Sequence, residues 1–234
     1  MTCDLAEIVL AGESYLYRVG RAPDPWALPD WAHVQPDGTF GSRWDDPGST
    51  YRVLYASSRR LGAYLESMAW ARPDPAVDLD VRAVVDEDEA DNFPTAGVID
   101  RAWLDKRRLG RSRGNGTFAV GGHSATLSRL RGAMSGEMAR FGIRDLDGAA
   151  IRSTAPRGFT QALSRLIYSC RRADDATPAY DGIQYLSKYG DDLECWALFE
   201  GRGELTDTES LVLDPKDPEL VEAERLLRIV LEFS

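Results

Sequence analysis

GSRWDDP, residues 41–47, lies shortly before the apolar run YRVLY, residues 51–55, and a helix-like segment that carries Glu66. A loop marked by glycine and proline, then a strand, then a helix would bring a guanidinium, a phenol and a carboxylate toward one cleft. That combination of Arg43, Tyr55 and Glu66 suits a glycosidic substrate that carries phosphate groups. The stretch therefore predicts mixed α and β structure with a site at this junction.

A second segment far downstream carries YDGIQYLS, residues 180–187, followed closely by CWALF, residues 195–199. Taken together, the two segments resemble the RES-domain family, which is named for an arginine, a glutamate and a serine. The resemblance assigns these three catalytic positions to Arg43, Glu66 and Ser187. The three residue types occur in the family's order, although Glu66 and Ser187 are further apart than in the smaller members.

The resemblance runs with gaps from about Tyr17 to about Phe199. It implies an α+β, or irregular α/β, fold with a central mixed sheet and flanking helices, related to the ADP-ribosylating toxins. It also implies an enzyme that breaks the nicotinamide–ribose bond of NAD, often as the toxin of a toxin–antitoxin pair. NAD would be the substrate rather than a cofactor, with water or inorganic phosphate as the second reactant. An antitoxin of the helix-turn-helix Xre type is the partner that the resemblance suggests.

Two alternatives stay open at this point. An ADP-ribosyltransferase of the same fold would pass ADP-ribose to a macromolecule. A protein that keeps the RES scaffold without catalysis would only bind or interact. Release of nicotinamide from NAD, with and without phosphate, would separate these alternatives.

The substrate-binding positions follow from residue chemistry together with the resemblance. A guanidinium binds pyrophosphate as a rigid fork, so Arg43 is the first candidate and Arg18 and Arg52 are weaker ones. Trp44 is expected to shield and position Arg43. Tyr55 is expected to stack on nicotinamide or to hydrogen-bond a ribose, or else to be a core tyrosine. Ser187 is expected to hydrogen-bond a phosphate or ribose oxygen.

Glu66 lies in a segment whose apolar residues follow a helical period. Leu61, Tyr64, Leu65 and Met68 fall on one face, and Glu66 lies on the flank of that face. Cleavage of a glycosidic bond passes through a cationic, oxocarbenium-like state that a carboxylate stabilises. Glu66 is therefore the candidate catalytic carboxylate, and the alternative is a solvated helix glutamate.

Composition favours one globular domain over residues 1–234. The chain is 43% hydrophobic and 28% charged, and its net charge of −10 argues against direct nucleic-acid binding. No apolar run reaches the length of a membrane helix, and no signal-peptide pattern opens the sequence, so a cytoplasmic location without membrane contact is expected. Composition does not determine the oligomeric state, and a homo-oligomer is one of the states that it allows.

The cysteines and histidines give no metal-site pattern. Cys3, Cys170 and Cys195 are odd in number and lack CxxC spacing, which argues against both a disulfide framework and zinc. His33 and His123 have no ligand spacing and are expected in loops or caps. No metal is therefore expected.

The periodicity of the chain predicts strands and helices without regular alternation. Strands are predicted at 14–19, 51–56, 79–85, 182–186, 193–199 and 210–213, and helices at 58–71, 125–140 and 159–171.

Three longer features complete the sequence prediction. Residues 86–145 would be an elaboration that borders the cleft or forms a subunit contact, and residues 218–232 would form a C-terminal helix. The basic stretch 106–113 is interpreted as helix-like, and the GxGxxA pattern after it, 114–119, as a turn rather than a dinucleotide site.

Overall fold

The computed structural model describes residues 3–73, 97–153 and 156–233. Its strands are β1 (Glu7–Arg21), β2 (Val53–Ser57), β3 (Val98–Ile99), β4 (Arg107–Val120), β5 (Gly182–Leu186), β6 (Glu194–Phe199), β7 (Glu204–Leu211) and β8 (Val230–Leu231). Its α-helices are α1 (Arg60–Met68), α2 (Arg101–Asp105), α3 (Ser124–Arg131), α4 (Ser135–Phe141), α5 (Gly148–Arg152), α6 (Arg157–Tyr168) and α7 (Pro218–Leu227). Short 3-10 turns lie at Trp31–His33 and Ala69–Ala71. The α+β class predicted from the sequence is confirmed. The predicted strand 79–85 and the acidic run 86–91 lie outside the described residues.

The central sheet closes on itself. Its strand order is β1-β2-β6-β5-β4-β7, and β1 also pairs with β4, so β1, β2, β6, β5 and β4 form a ring. β5 runs parallel to β4, whereas the other pairings of this sheet are antiparallel, so the sheet is mixed as expected. β3 and β8 form a separate parallel pair.

Three apolar clusters hold the elements together. One lies between facing strands of the ring and includes Leu16, Phe118 and Trp196. The second packs α3, α4 and α6 against the other face of the sheet, and the third joins α1 to α7. Because successive residues of a strand point to opposite faces, β2 contributes Leu54 to the first cluster and Val53 to the second. β2 is thereby fixed from both sides.

The basic stretch 106–113 is not helical, which corrects the sequence prediction. Most of it is β4, which continues through the GxGxxA pattern as strand, so the predicted turn at 114–119 is also wrong. The face of β4 toward the ring interior carries small residues, and a Cβ atom at Gly114 would lie 2.8 Å from a methyl carbon of Leu16. A strand with small residues on its buried face lacks the alternating hydrophobic pattern that identifies strands. β4 was therefore not predicted from the sequence.

The segment 86–145, described here from residue 97, does not lie apart from the rest of the fold. β4 pairs with β1 along most of its length and with β5 and β7 on its other edge. Residues 107–120 are thus part of the central sheet rather than an addition to it. The predicted helix 125–140 is two helices, α3 and α4, and α4 ends at Gly142 with the left-handed φ of 67° that glycine tolerates.

The C-terminal helix begins as predicted and ends earlier than predicted. The side chain of Asp217 accepts a hydrogen bond from the Glu219 backbone N–H, and Pro218 is the first helical residue. α7 ends at Leu227 because Arg228 adopts a left-handed φ of 56°, and β8 then pairs with β3. The predicted end at residue 232 is therefore wrong.

Cys3 and Cys170 form a disulfide bond, which corrects the prediction that no disulfide is present. The two cysteines are 167 residues apart in sequence, and only the fold brings the chain before β1 beside the end of α6, so local spacing gave no signal. Cys195 is buried with a free thiol. Disulfides are uncommon in reducing compartments, so a cytoplasmic location stays an expectation. Within the described ranges no helix has the length and apolarity needed to cross a bilayer.

Candidate functional site

A cleft of about 460 Å³ opens where β1, β2, α1 and the loop before β2 meet the start of α6 and the end of β5. Four of the residues predicted from the sequence line it: Arg18, Arg43, Tyr55 and Glu66. A Cβ atom at Gly62 of α1 would collide with the Ser57 hydroxyl at the end of β2. Glycine at this position therefore lets the helix that carries Glu66 approach the sheet closely.

Glu66 is held by Ser187. The Ser187 hydroxyl donates a hydrogen bond of 2.6 Å to Oε1 of Glu66 and accepts one of 3.1 Å from the Tyr189 backbone N–H. Ser187 is only 1% exposed, whereas Glu66 is exposed and on the cleft wall. The hydroxyl proton is donated to the Glu66 carboxylate, so Ser187 contacts the candidate catalytic residue, and its expected contact with a phosphate or ribose oxygen stays a prediction.

Arg43 lies in the cleft with an unsatisfied donor. Its guanidinium carbon is 5.6 Å from the ring centroid of Tyr185, and both side chains line the cleft. Among the described residues nothing accepts a hydrogen bond from the buried Nη1 of Arg43 or from the buried Nε of Arg18. Buried polar atoms are normally paired, so these two donors point to an anionic ligand.

Arg18 is a cation in a desolvated position. Burial lowers the pKa of Arg18 to about 10, and the nearby Asp24 carboxylate opposes that shift. The guanidinium therefore stays charged at neutral pH. A cation that has already lost most of its water binds a phosphate with little further desolvation.

Tyr55 anchors the loop that carries Arg43. Its hydroxyl donates a hydrogen bond of 2.8 Å to Oδ1 of Asp45 and accepts one of 3.0 Å from the Trp44 backbone N–H. Burial and the adjacent Asp45 carboxylate raise the pKa of Tyr55 well above its ordinary value, so the hydroxyl keeps its proton. Burial likewise raises the pKa of Asp45. Since the hydroxyl is occupied on both sides, the ring is the part of Tyr55 that is left for contacts in the cleft.

α6 fixes the same loop from the opposite side. The Ser164 hydroxyl donates to the Trp44 carbonyl at 2.7 Å, and Nε2 of Gln161 donates to the Ser42 carbonyl at 3.0 Å. The loop begins at Gly41, whose φ of 83° lies in the left-handed region. Backbone contacts on both sides of Arg43 thus determine its position, and no local sequence pattern predicted them.

Two predicted contacts fall outside the cleft. Trp44 is fully buried, and its ring packs at 5.5 Å on Tyr185 in the core rather than covering Arg43 at the surface. Trp44 is therefore a core residue beneath the cleft, and its prediction as a substrate-binding residue is wrong. Arg52, a weaker candidate for phosphate binding, pairs with Glu200 and lies over Trp31.

Several cleft residues were missed by the sequence prediction. Arg157, the first residue of α6, and Lys188, next to Ser187, both line the cleft, as do Tyr185 and Tyr189. Lys188 could have been predicted, because it follows the predicted site residue Ser187 in the sequence. Arg157 could not, because only the packing of α6 against the Arg43 loop brings it to the cleft.

The charges of the cleft are unbalanced. Among the described residues, its walls carry four cationic side chains, those of Arg18, Arg43, Arg157 and Lys188, and a single carboxylate, that of Glu66. This local excess contrasts with the net charge of −10 of the whole chain. Such a cleft attracts a small anion by its positive charge and places one carboxylate beside it.

The histidines take structural positions. Nδ1 of His123 accepts a hydrogen bond from the Ala125 backbone N–H and caps α3, and His33 ends a 3-10 turn. In the described part of the chain no three or more histidine, cysteine or acidic side chains form a group that could hold a metal ion.

A family model described as the RES domain matches residues 15–113. The match includes Arg18, Arg43, Tyr55 and Glu66 and ends before Ser187. It confirms the resemblance to the RES-domain family over this segment. No curated protein matches the chain, and no solved structure matches it.

Proposed function

We propose that this chain, which carries a RES domain over residues 15–113, cleaves the bond between nicotinamide and ribose in NAD. The observation that carries the proposal is a single oriented carboxylate, Glu66, among four cationic side chains in one cleft. This combination of one carboxylate and several cations suits NAD. The nicotinamide ring at its glycosidic bond is positively charged, and its pyrophosphate carries two negative charges.

In the proposed reaction the bond from the ribose C1′ to the nicotinamide nitrogen breaks, and its electron pair stays with nicotinamide, which leaves as a neutral ring. The ribose becomes oxocarbenium-like, and the carboxylate of Glu66 stabilises the developing positive charge. A water oxygen then bonds to C1′ and releases a proton, which gives ADP-ribose. If a phosphate oxygen attacks instead, the product is ADP-ribose 1-phosphate.

The cations would hold the rest of the substrate. Arg43 and Arg18 each have a buried donor directed at no described acceptor, and a pyrophosphate supplies such acceptors. Arg157 and Lys188 add charge on the same walls. The rings of Tyr55 and Tyr185 offer apolar surfaces for nicotinamide.

The test is to incubate the purified chain with NAD and to measure released nicotinamide by chromatography, in phosphate-free buffer and with added inorganic phosphate. Release without phosphate identifies a glycohydrolase, and release that requires phosphate identifies a phosphorylase. Binding of NAD without release would contradict the proposal and favour a scaffold that only binds. Release that requires an added macromolecule, with ADP-ribose attached to it, would favour a transferase.

A toxin role and an Xre-type antitoxin stay predictions of the family resemblance.

A further inference from the structure

A second groove, of about 1010 Å³, lies beside the cleft. The end of β1, the start of β4, α2 and β3 surround it, and its lining includes Arg21, Trp70, Trp103, Lys106 and Arg107. Trp70 lines both the groove and the cleft, so the two are neighbours across one indole ring. The RES-domain residues discussed above, Arg43 and Glu66, do not line this groove.

The groove presents aromatic surface. Trp70 is 63% exposed, which is unusual for a tryptophan, and its ring centroid lies 6.0 Å from that of Trp103. The guanidinium of Arg107 covers Trp103 at 4.7 Å from the ring centroid, so the aromatic face that no described residue covers is that of Trp70. An exposed indole beside a cation suits a flat ring that also carries negative charge.

Three cations surround the aromatic pair. Burial lowers the pKa of Arg107, and the charge of the nearby Arg21 lowers it further. These two guanidinium groups repel each other, and Lys106 adds an exposed third charge. An anion placed among the three would relieve that repulsion.

The acids of the groove do not neutralise these cations fully. Asp100 uses one carboxylate oxygen to accept a 2.7 Å hydrogen bond from the Trp103 backbone N–H at the start of α2. Glu232 is exposed near the end of the described chain. The part of the lining that the structure describes therefore has one cation more than it has carboxylates.

The cationic surface is short. Further along β4, Arg111 pairs with Glu209 at 2.5 Å, and Arg113 pairs with Asp207 at 3.2 Å. The strand that begins with Arg107 thus carries no continuous track of free charge along its length. A polynucleotide needs such a track, whereas a single nucleotide does not.

We propose that this groove is a second binding site, for a small nucleotide with one aromatic base and one or two phosphate groups. The base stacks on Trp70, and the phosphates lie among Arg21, Lys106 and Arg107. This site does not depend on NAD cleavage, although a ligand here would lie next to the mouth of the cleft.

The experiment measures ADP binding to the full chain by calorimetry, with the variants Lys106→Glu and Arg43→Lys. Lys106→Glu should weaken ADP binding about tenfold or more, because it replaces an attractive charge by a repulsive one. Arg43→Lys, which alters the cleft, should leave a binding event of parental affinity. Lys216→Glu, at an exposed lysine outside the groove, is the matched control and should bind ADP like the parent.

Three outcomes would overturn the proposal. ADP affinity within twofold of the parent in Lys106→Glu would remove the groove from the binding site. Loss of all ADP binding in Arg43→Lys would place ADP in the cleft. Tighter binding of a ten-nucleotide single strand than of ADP, sensitive to Lys106→Glu, would make the groove a nucleic-acid site. Nicotinamide release by Lys106→Glu tests the cleft separately, since that variant leaves the cleft lining unchanged.

Discussion

At the scale of single residues, the carboxylate of Glu66 is the group that the proposed chemistry needs most. Glu66→Gln keeps the shape of the side chain and removes its charge, so nicotinamide release should fall by about a hundredfold or more. Glu204→Gln makes the same change at an exposed position of β7 and should leave release unchanged. Turnover close to the parental rate in the folded Glu66→Gln protein would remove Glu66 from the mechanism.

Ser187 tests whether orientation of that carboxylate matters. Ser187→Ala removes the 2.6 Å hydrogen bond to Glu66, so kcat should fall by about tenfold while KM changes by less than about twofold. Ser187→Thr retains a hydroxyl and should recover part of kcat, whereas Ser169→Ala, at an exposed serine, should have no effect. A merely structural serine would lower the folded fraction and leave kcat per folded molecule unchanged.

Arg43 tests the phosphate contact. Arg43→Lys retains the charge and loses the guanidinium fork, so NAD should bind about tenfold more weakly while nicotinamide alone binds as it does to the parent. Titration calorimetry with both ligands measures this difference, and Arg129→Lys on α3 is the exposed control. An equal loss for both ligands would indicate that Arg43 supports the fold rather than the pyrophosphate.

At the scale of elements, α7 supports the helix that carries the catalytic candidate. Leu220 is fully buried in the cluster that joins α1 to α7, and the Tyr64 hydroxyl of α1 donates to Asp217 at 2.8 Å. Leu220→Ala should lower the free energy of unfolding by about 2–5 kcal/mol, because it leaves a cavity.

The adjacent Val221 provides the control for that variant. Val221 is 49% exposed on the same helix, and Val221→Ala should change the free energy of unfolding by less than about 0.5 kcal/mol. Denaturant unfolding measures both variants. Similar losses in the two would mean that α7 does not pack on α1 as described.

The elements also show which sequence signals were sufficient. β5 has the predicted bounds because its short run of Ile, Tyr and Leu favours a strand, and α7 begins where Asp217 and Pro218 predict. β4 was missed because its inward face carries glycine and serine. For the site, local periodicity placed Glu66 on the flank of α1, but the contacts of Ser187 with Glu66 and of α6 with the Arg43 loop join distant segments. No local pattern encodes such contacts.

At the scale of the whole molecule, the disulfide joins the chain before β1 to the segment after α6. One cysteine, Cys195, is left with a free thiol among the three of the sequence. Protein unfolded in denaturant without reductant should therefore incorporate one alkyl group, and after reduction it should incorporate three. Mass spectrometry measures the count, and three alkyl groups without reductant would show that the bond is absent from the purified protein.

Closure of the strand ring depends on the order in which its strands are synthesised. β1 leaves the ribosome well before β4, and since Glu7 pairs with Ala119 and Arg21 with Arg107, β1 lacks this partner until β4 has emerged. Synthesis at roughly 5–20 residues per second makes this wait last several seconds, and pairings between distant segments also fold slowly. Ser187 and α7 emerge later still. While the chain is being translated, Glu66 therefore has no orienting serine until Ser187 has emerged, and the cleft is completed only after that point.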